Sequence, residues 1–231
     1  MGISLIPGLF LARHAGAVAA SGRGIILGRQ KLHMAEGRRR RFLRALKAMG
    51  IALQEDEITQ QDGFTEALFA KLGYPKIEAL DFTDAEGAEH VHDLNLPCPD
   101  SLRGQFDLVI DGGTTEHIFH ISHALETCHQ LLRPGGVMMS YVAADGWFGH
   151  GFFQTGPDVP WRFWHHTLGY EMLEVSIAPR RSPLELIAIP DPSGQPRGGE
   201  RALEGPHMIL YACRRPLHDP PPRAPIQGHY L

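Results

Sequence analysis

The stretch Phe106–Ile118, FDLVIDGGTTEHI, decides the fold. Its first half, Phe106–Ile110, is a dense apolar run of β-branched and aromatic residues, the composition of a strand buried on both faces. Asp111-Gly112-Gly113 then breaks the run, and an amphipathic segment follows from Glu116 to Leu132, closed by Pro134-Gly135-Gly136. A strand, a glycine turn, a helix and a further apolar run at Val137–Val142 make a β-α-β unit, which implies parallel strands.

Working outward, the same alternation recurs. Ile25-Ile26-Leu27, Ile77–Asp81 and His90-Val91-His92 read as strands on the N-terminal side. Gly8–Ala20 behind Pro7, Arg38–Met49 and Phe64–Leu72 read as helices, and Gln54–Gln61 as a polar loop. On the C-terminal side, a helix near Trp161–Thr167 precedes two late strands, Tyr170–Ile177 and Met208–Ala212. Ser182–Pro206 between them is rich in Pro and Gly. The expected fold is α/β: a doubly wound, mostly parallel, Rossmann-like sheet with a C-terminal antiparallel hairpin. One domain, 1–215, carries an N-terminal helix, and 216–231 forms a Pro-rich extended tail.

Composition sets the outer limits. The chain has 231 residues, against a prior of about 150 per domain. It is 43% hydrophobic and 21% charged, ordinary for a globular core. Lys plus Arg is 22 and Asp plus Glu is 26, a net charge of −4 that gives no general attraction to nucleic acid or anionic lipid. The run Arg38–Arg41 with Arg44 and Lys47 has no aromatic interleaving and reads as a solvated helix face. Cys98, Cys128 and Cys213 are odd in number and widely spaced, which suits a reducing compartment. Ile3–Ala20 is interrupted by Pro7, Arg13 and His14, so neither a membrane span nor a signal peptide is expected. A cytoplasmic location follows as the expectation.

In open α/β sheets ligands bind beyond the carboxyl ends of the strands. The residues there are Gly28-Arg29-Gln30 after the first strand, Asp81 at the end of the second with Asp84 and Glu86 following, Asp93-Leu94-Asn95 after the third and Asp111-Gly112-Gly113-Thr114 after the fourth. Carboxylates at such a rim accept hydrogen bonds from diols and amines, and glycines admit a close ligand. His117, His120 and His123 do not converge on one helical face, so no metal site is expected from them. The stripe Ile118, Ile121, Leu125, Cys128 and Leu132 is the expected buried face. His150 and Gln154 follow the fifth strand on the same rim. Gly146, Gly149 and Gly151 punctuate their loop, and aromatics surround it. The loop reads either as a packed cover or as an acceptor-binding lid.

FDLVIDGGTTEHI, QLLRPGG and VMMSYV together resemble the fourth strand, following helix and fifth strand of class I methyltransferases that use S-adenosylmethionine. LDFTDAEGAEHVHDLNLPCP resembles the stretch that holds their second-strand acid and later Asp-Leu pair. GHGFFQ with Gly169-Tyr170 is similar to a subgroup of methyltransferase-like proteins, some of them associated with bacterial polysaccharide clusters. The resemblance covers roughly residues 22 to 178. It implies Asp81 on the cofactor ribose, Asp93 and Leu94 beside adenine, and Asp111-Gly112 beside the methionine part. Gly28 and Arg29 lie in the first-motif loop, ILGRQKLHM, where the family keeps an acid and two or three glycines and this chain has one glycine and a basic residue. His117 or His150 is the candidate base. Two functions remain open: methyl transfer from S-adenosylmethionine to a small-molecule or sugar acceptor, and a non-catalytic binding or assembly role on the same fold.

Overall fold

The computed structural model describes residues 2–180, 186–193 and 204–230. In chain order it contains β1 (Gly2–Ile3), α1 (Leu5–His14), β2 (Arg23–Leu27), β3 (Lys31–Leu32), α2 (Glu36–Ala48), α3 (Glu55–Ile58), α4 (Glu66–Lys71) and β4 (Lys76–Asp81). There follow β5 (His90–Val91), β6 (Phe106–Asp111), α5 (Ile121–Leu131), β7 (Leu132–Ala143), β8 (Glu171–Pro179), β9 (Ile187–Ala188) and β10 (His207–Arg214). A π-helix, Val159–Thr167, precedes β8.

Eight strands form one sheet in the order β5-β4-β2-β6-β7-β10-β8-β9. The five from β5 to β7 pair in parallel. β10 is antiparallel to both β7 and β8, so the late pair is antiparallel as expected. It does not simply extend the edge: β10 inserts between β7 and β8, and the short β9 is the outermost strand on that side. Much of the Pro- and Gly-rich connection, 181–185 and 194–203, lies outside the described residues.

Strand alternation divides the core in two. Ile26, Ala79, Leu108, Ile110 and Met139 face α1, α2 and α4. Ile25, Leu27, Leu80, Val109 and Met138 face α5 and Trp164 of the π-helix. Both faces are covered, which is why the parallel strands read as near-continuous apolar runs rather than as alternating ones. Cys98, Cys128 and Cys213 are all buried free thiols.

Several local expectations change. The amphipathic segment is not one helix from Glu116: a 3-10 turn, Thr115–His117, comes first, and α5 begins at Ile121. Its buried residues are Ala124, Thr127, Cys128 and Leu131, a face rotated from the expected stripe. Cys128 and Leu132 of that stripe are buried, and Ile118 and Leu125 pack partly buried against the same core. Pro134-Gly135-Gly136 lies inside the bounds of β7, which starts at Leu132 directly after α5, with a register shift against β6. Gln54–Gln61 contains the short α3, held by a reciprocal capping box between Gln54 and Glu57. The N-terminal helix ends at His14 and continues as a 3-10 turn, Ala15–Ala17.

The segment after Arg215 is extended, as its prolines require, but tied down. Arg162 Nε donates to the Ile226 carbonyl at 2.7 Å, and the Gly228 amide donates to Asp158 Oδ1 at 3.0 Å. Arg215 pairs with Asp219 and reaches the carbonyls of His129 and Leu132. His129, packed beneath, has Nδ1 2.9 Å from Tyr170 Oη. Burial, aided by Arg215, pushes its pKa down to about 4. An unfolded histidine binds its proton near pH 6.5, so between those values the unfolded chain holds the extra proton. Stability is therefore complete above about 6.5 and declines as pH falls to about 4, by on the order of 3 kcal/mol. Urea unfolding at pH 7.5 and 5 checks this: His129→Gln should flatten the difference, and an unchanged slope would contradict it.

Candidate active site

The carboxyl ends of the parallel strands form one rim. Leu27 of β2 pairs with Leu80 on one side and with Asp111 on the other, so Gly28, Asp81 and Gly112 stand abreast. Strand order departs in opposite directions from β2, with β4 and β5 on one side and β6 and β7 on the other. This is the switch point at which α/β sheets open a crevice. Gly28 turns the chain there with φ +69°. A Cβ on it would lie 3.5 Å from Thr114 Oγ1 and 3.6 Å from Asp81 Oδ2. Thr114 Oγ1 donates to the Leu27 carbonyl at 2.8 Å and locks the β6 turn onto β2.

Asp81 is half-buried, and its Oδ1 accepts from the Phe82 amide at 2.6 Å. No cation among the described residues forms an ion pair with it. Asp93 caps its own turn: Oδ1 accepts from the Asn95 amide and from Asn95 Nδ2, and these bonds hold its pKa down. Leu94 behind it is buried.

Two candidates fall elsewhere. Asp111 is fully buried, with Oδ1 accepting from the Thr114 and Thr115 amides and Oδ2 from Thr115 Oγ1 at 2.6 Å. Its carboxyl stabilises the turn after β6, and the next two residues, Gly112 and Gly113, line a cavity. Arg29 turns away from the crevice. Its Nε donates to Glu66 at 2.6 Å and its terminal nitrogen to Asp62 at 3.0 Å, and its guanidinium lies 3.7 Å from the centre of the Phe64 ring. Two carboxylates and an aromatic face outcompete Asp81 and Asp111 for that cation. The basic residue in the first-motif loop therefore does not close the crevice.

Gln30 takes the inward position in that loop. It is buried, with Nε2 donating to the Gly28 carbonyl at 3.0 Å. A Cβ on Gly112 would meet Tyr141 Oη at 2.7 Å and the Gln30 amide carbon at 2.9 Å, so only glycine fits between them. Gln30 Oε1, Tyr141 Oη and Glu116 Oε2 are all buried without a hydrogen-bond partner. Buried polar atoms are normally paired; of these three, Gln30 and Tyr141 flank Gly112, and Glu116 lines the cavity that Gly112 and Tyr141 also line.

Next to Gly112 opens a cavity of about 600 Å³. Tyr141, Glu116, Trp147 and His150 line one side, and Ser4, His33 and Arg38 the other. The small parallel sheet β1–β3 carries Ser4 and His33 to this wall. Arg38 shows that the basic helix face is not uniform: Arg39 and Arg40 pair with Glu55 and Glu36, whereas Arg38 reaches the cavity.

The loop from Gly146 to Gln154 is clamped onto Glu116. The amides of Phe152 and Phe153 both donate to the Glu116 carbonyl, at 2.8 and 3.1 Å. Gly151 has φ +77°, and a Cβ there would lie 2.7 Å from that carbonyl, so glycine permits the approach. The clamp sets the His150 ring edge-on to His117, with centroids 4.8 Å apart, and brings its Nε2 3.9 Å from Glu116 Oε1. Gln154 is exposed and accepts from the Trp147 amide at 3.1 Å; it closes the loop rather than lining the cavity. Burial, reinforced by nearby Asp111, raises the Glu116 carboxyl to about 8. Burial and His150 lower the His117 pKa, which keeps its ring neutral. The aromatics divide: Trp147 borders the cavity, whereas Trp164 is core.

The sequence places Gln30 on the rim but gives it no role, and neither Glu116 nor Tyr141 is a site residue in it. Glu116 stands inside the quoted EH pair, but its neighbour His150 is 34 positions away and only the loop clamp joins them.

The chain has the fold of the class I methyltransferases. No family profile and no curated protein matches the sequence. Among solved structures, it resembles the 1,6-didemethyltoxoflavin-N1-methyltransferase of Burkholderia thailandensis, crystallised with 1,6-didemethyltoxoflavin and S-adenosylhomocysteine. The match has 14% identity and a TM-score of 0.50, and covers 92% of this chain and 78% of that one. It also matches the N-methyltransferase NodS of Bradyrhizobium japonicum WM9 in complex with S-adenosylhomocysteine. Here the identity is 14% and the TM-score 0.45, over 92% and 85% of the two chains. No helix among the described residues is long and apolar enough to cross a membrane.

Proposed function

We propose that this protein binds S-adenosylmethionine at the Gly28–Asp81–Gly112 rim and methylates a small-molecule or sugar acceptor held in the adjoining cavity. The observation that carries the reading is a set of buried polar atoms without partners: Gln30 Oε1 and Tyr141 Oη, which flank Gly112, and Glu116 Oε2, on a residue that lines the cavity with Gly112 and Tyr141. Asp81 is the acceptor for the ribose hydroxyls, Asp93 and Leu94 the neighbours of adenine, and Gly112 the point of closest backbone approach. The bound cofactor supplies an electrophilic methyl group, and such a displacement depends above all on alignment of the two reactants. The chain contributes the alignment. Trp147 offers a flat face for a ring, and Arg38 and His33 favour an acceptor bearing negative charge. His117 and His150 are the catalytic assignments: His150 lines the cavity with Glu116, and His117 stands beside them.

One observation favours the non-catalytic reading: Gln30 fills loop space where the resembled family keeps small residues. A crystal structure with S-adenosylhomocysteine separates the two. Ribose on Asp81, with the sulfur turned towards the cavity, supports methyl transfer. Nucleoside bound away from this rim would remove it.

A further inference from the structure

The geometry points to a divalent transition-metal site in the cavity wall, with Glu116, His117 and His150 as its protein ligands. One carboxylate and two imidazoles offer ligand atoms within 4.8 Å of one another, and among the described residues this is the one such grouping. The three come from two segments, the 3-10 turn after β6 and the glycine-punctuated loop after β7. That loop is fastened by the paired amides of Phe152 and Phe153 on the Glu116 carbonyl. Gly151 makes the fastening possible. The backbone arrangement thus serves to carry His150 to Glu116.

A second observation is independent of the clustering. Glu116 is 2% exposed, and its Oε2 has no hydrogen-bond partner. Its Oε1 has the Ala143 amide at 3.3 Å and His150 Nε2 at 3.9 Å. A buried carboxylate whose second oxygen has no donor is expensive to maintain as an anion. A cation bound to it and to two imidazoles removes the deficit. Metal–nitrogen and metal–oxygen bonds of about 2.0–2.2 Å place neighbouring ligands about 3–3.5 Å apart. Closing from 3.9 Å asks for a shift of about 0.4–0.9 Å from His150, whose side chain is 39% exposed and able to move, and wider pairs of the group, all within 4.8 Å, close by more.

The donor set also selects the ion. Imidazole and carboxylate suit zinc, cobalt, manganese or iron, whereas magnesium and calcium prefer all-oxygen shells. Three protein ligands leave positions open, and Glu116 and His150 both line the cavity. An acceptor hydroxyl can ligate there in place of water and lose its proton to solvent more readily. That use of the ion rests on the proposed methyl transfer; the presence of the site does not.

Titration of the intact protein with cobalt(II), without cofactor or acceptor, tests the site by its visible absorption. The expected result is a saturable signal at one ion per chain, displaced by zinc(II). His150→Ala and His117→Ala should each weaken binding by more than about tenfold. His123→Ala, in α5 with its ring on the Asn95 carbonyl, should leave it unchanged. His150 is partly exposed, so its variant should keep the parent far-ultraviolet dichroism and melting temperature, which are recorded alongside. Absence of a one-to-one signal, or equal binding by wild type and a folded His150→Ala, overturns the proposal. If this site fails while S-adenosylhomocysteine still binds, the methyltransferase reading stands without it.

Discussion

Asp81→Ala should weaken binding of S-adenosylmethionine and S-adenosylhomocysteine by roughly ten- to a hundredfold. The carboxylate sits at the end of β4, beside the positive-φ turn at Gly28, and no ion pair among the described residues engages it. Its one intramolecular hydrogen bond in the structure is to the adjacent Phe82 amide, so its second oxygen is available to a diol. A hydrogen bond to a charged group contributes about 1.5–3 kcal/mol, and each 1.4 kcal/mol is about tenfold in affinity. Removing a rim side chain leaves both faces of the sheet intact, so the melting temperature should stay close to that of the parent. Calorimetric titration of the two proteins measures the difference. Equal affinities would remove Asp81 from the cofactor site.

Trp164→Ala should cost about 3–5 kcal/mol of stability, the range for deleting a fully buried large aromatic. Trp164 is 0% exposed, packs edge-on against Tyr170 and Phe163, and donates from Nε1 to Tyr211 Oη at 3.2 Å. It therefore ties the π-helix to β10, the strand that completes the sheet. For a chain of this size the loss corresponds to a fall of roughly 6–20 °C in melting temperature. Phe152→Ala, at a ring 65% exposed, should change it little. A loss of under about 1 kcal/mol at Trp164 would mean that the helix is not part of the cooperative core.

The fold was legible because its strongest signals are local. FDLVI cannot satisfy its apolar side chains unless both faces are covered, and the Asp-Gly-Gly behind it must turn. The parallel core and the antiparallel late strands followed from such runs. What failed was register and partnership. The late start of α5 and the burial of Asp111 depend on Thr114 and Thr115 bonding back to that carboxylate, a turn that a helical wheel ignores. Arg29 looked like an occupant of the crevice because its sequence neighbours are rim residues. Its actual partners, Asp62 and Glu66, lie more than 30 positions on and are brought to it by α4. Similarly, His150 was legible as a rim residue, but its approach to Glu116 was not, because two amides and one glycine in a distant loop create it. Orphaned atoms such as Gln30 Oε1 have no sequence signature; they exist only once the packing around Gly112 is known.

The central claim is that the Gly28–Asp81–Gly112 rim is a cofactor site despite its single-glycine first loop. Isothermal titration of the wild-type chain with S-adenosylmethionine and with S-adenosylhomocysteine tests it most directly. Saturable binding of both at one molecule per chain, with a matching rise in melting temperature, is the expected result. No heat and no thermal shift at millimolar ligand would contradict the claim and leave a methyltransferase fold kept as a scaffold.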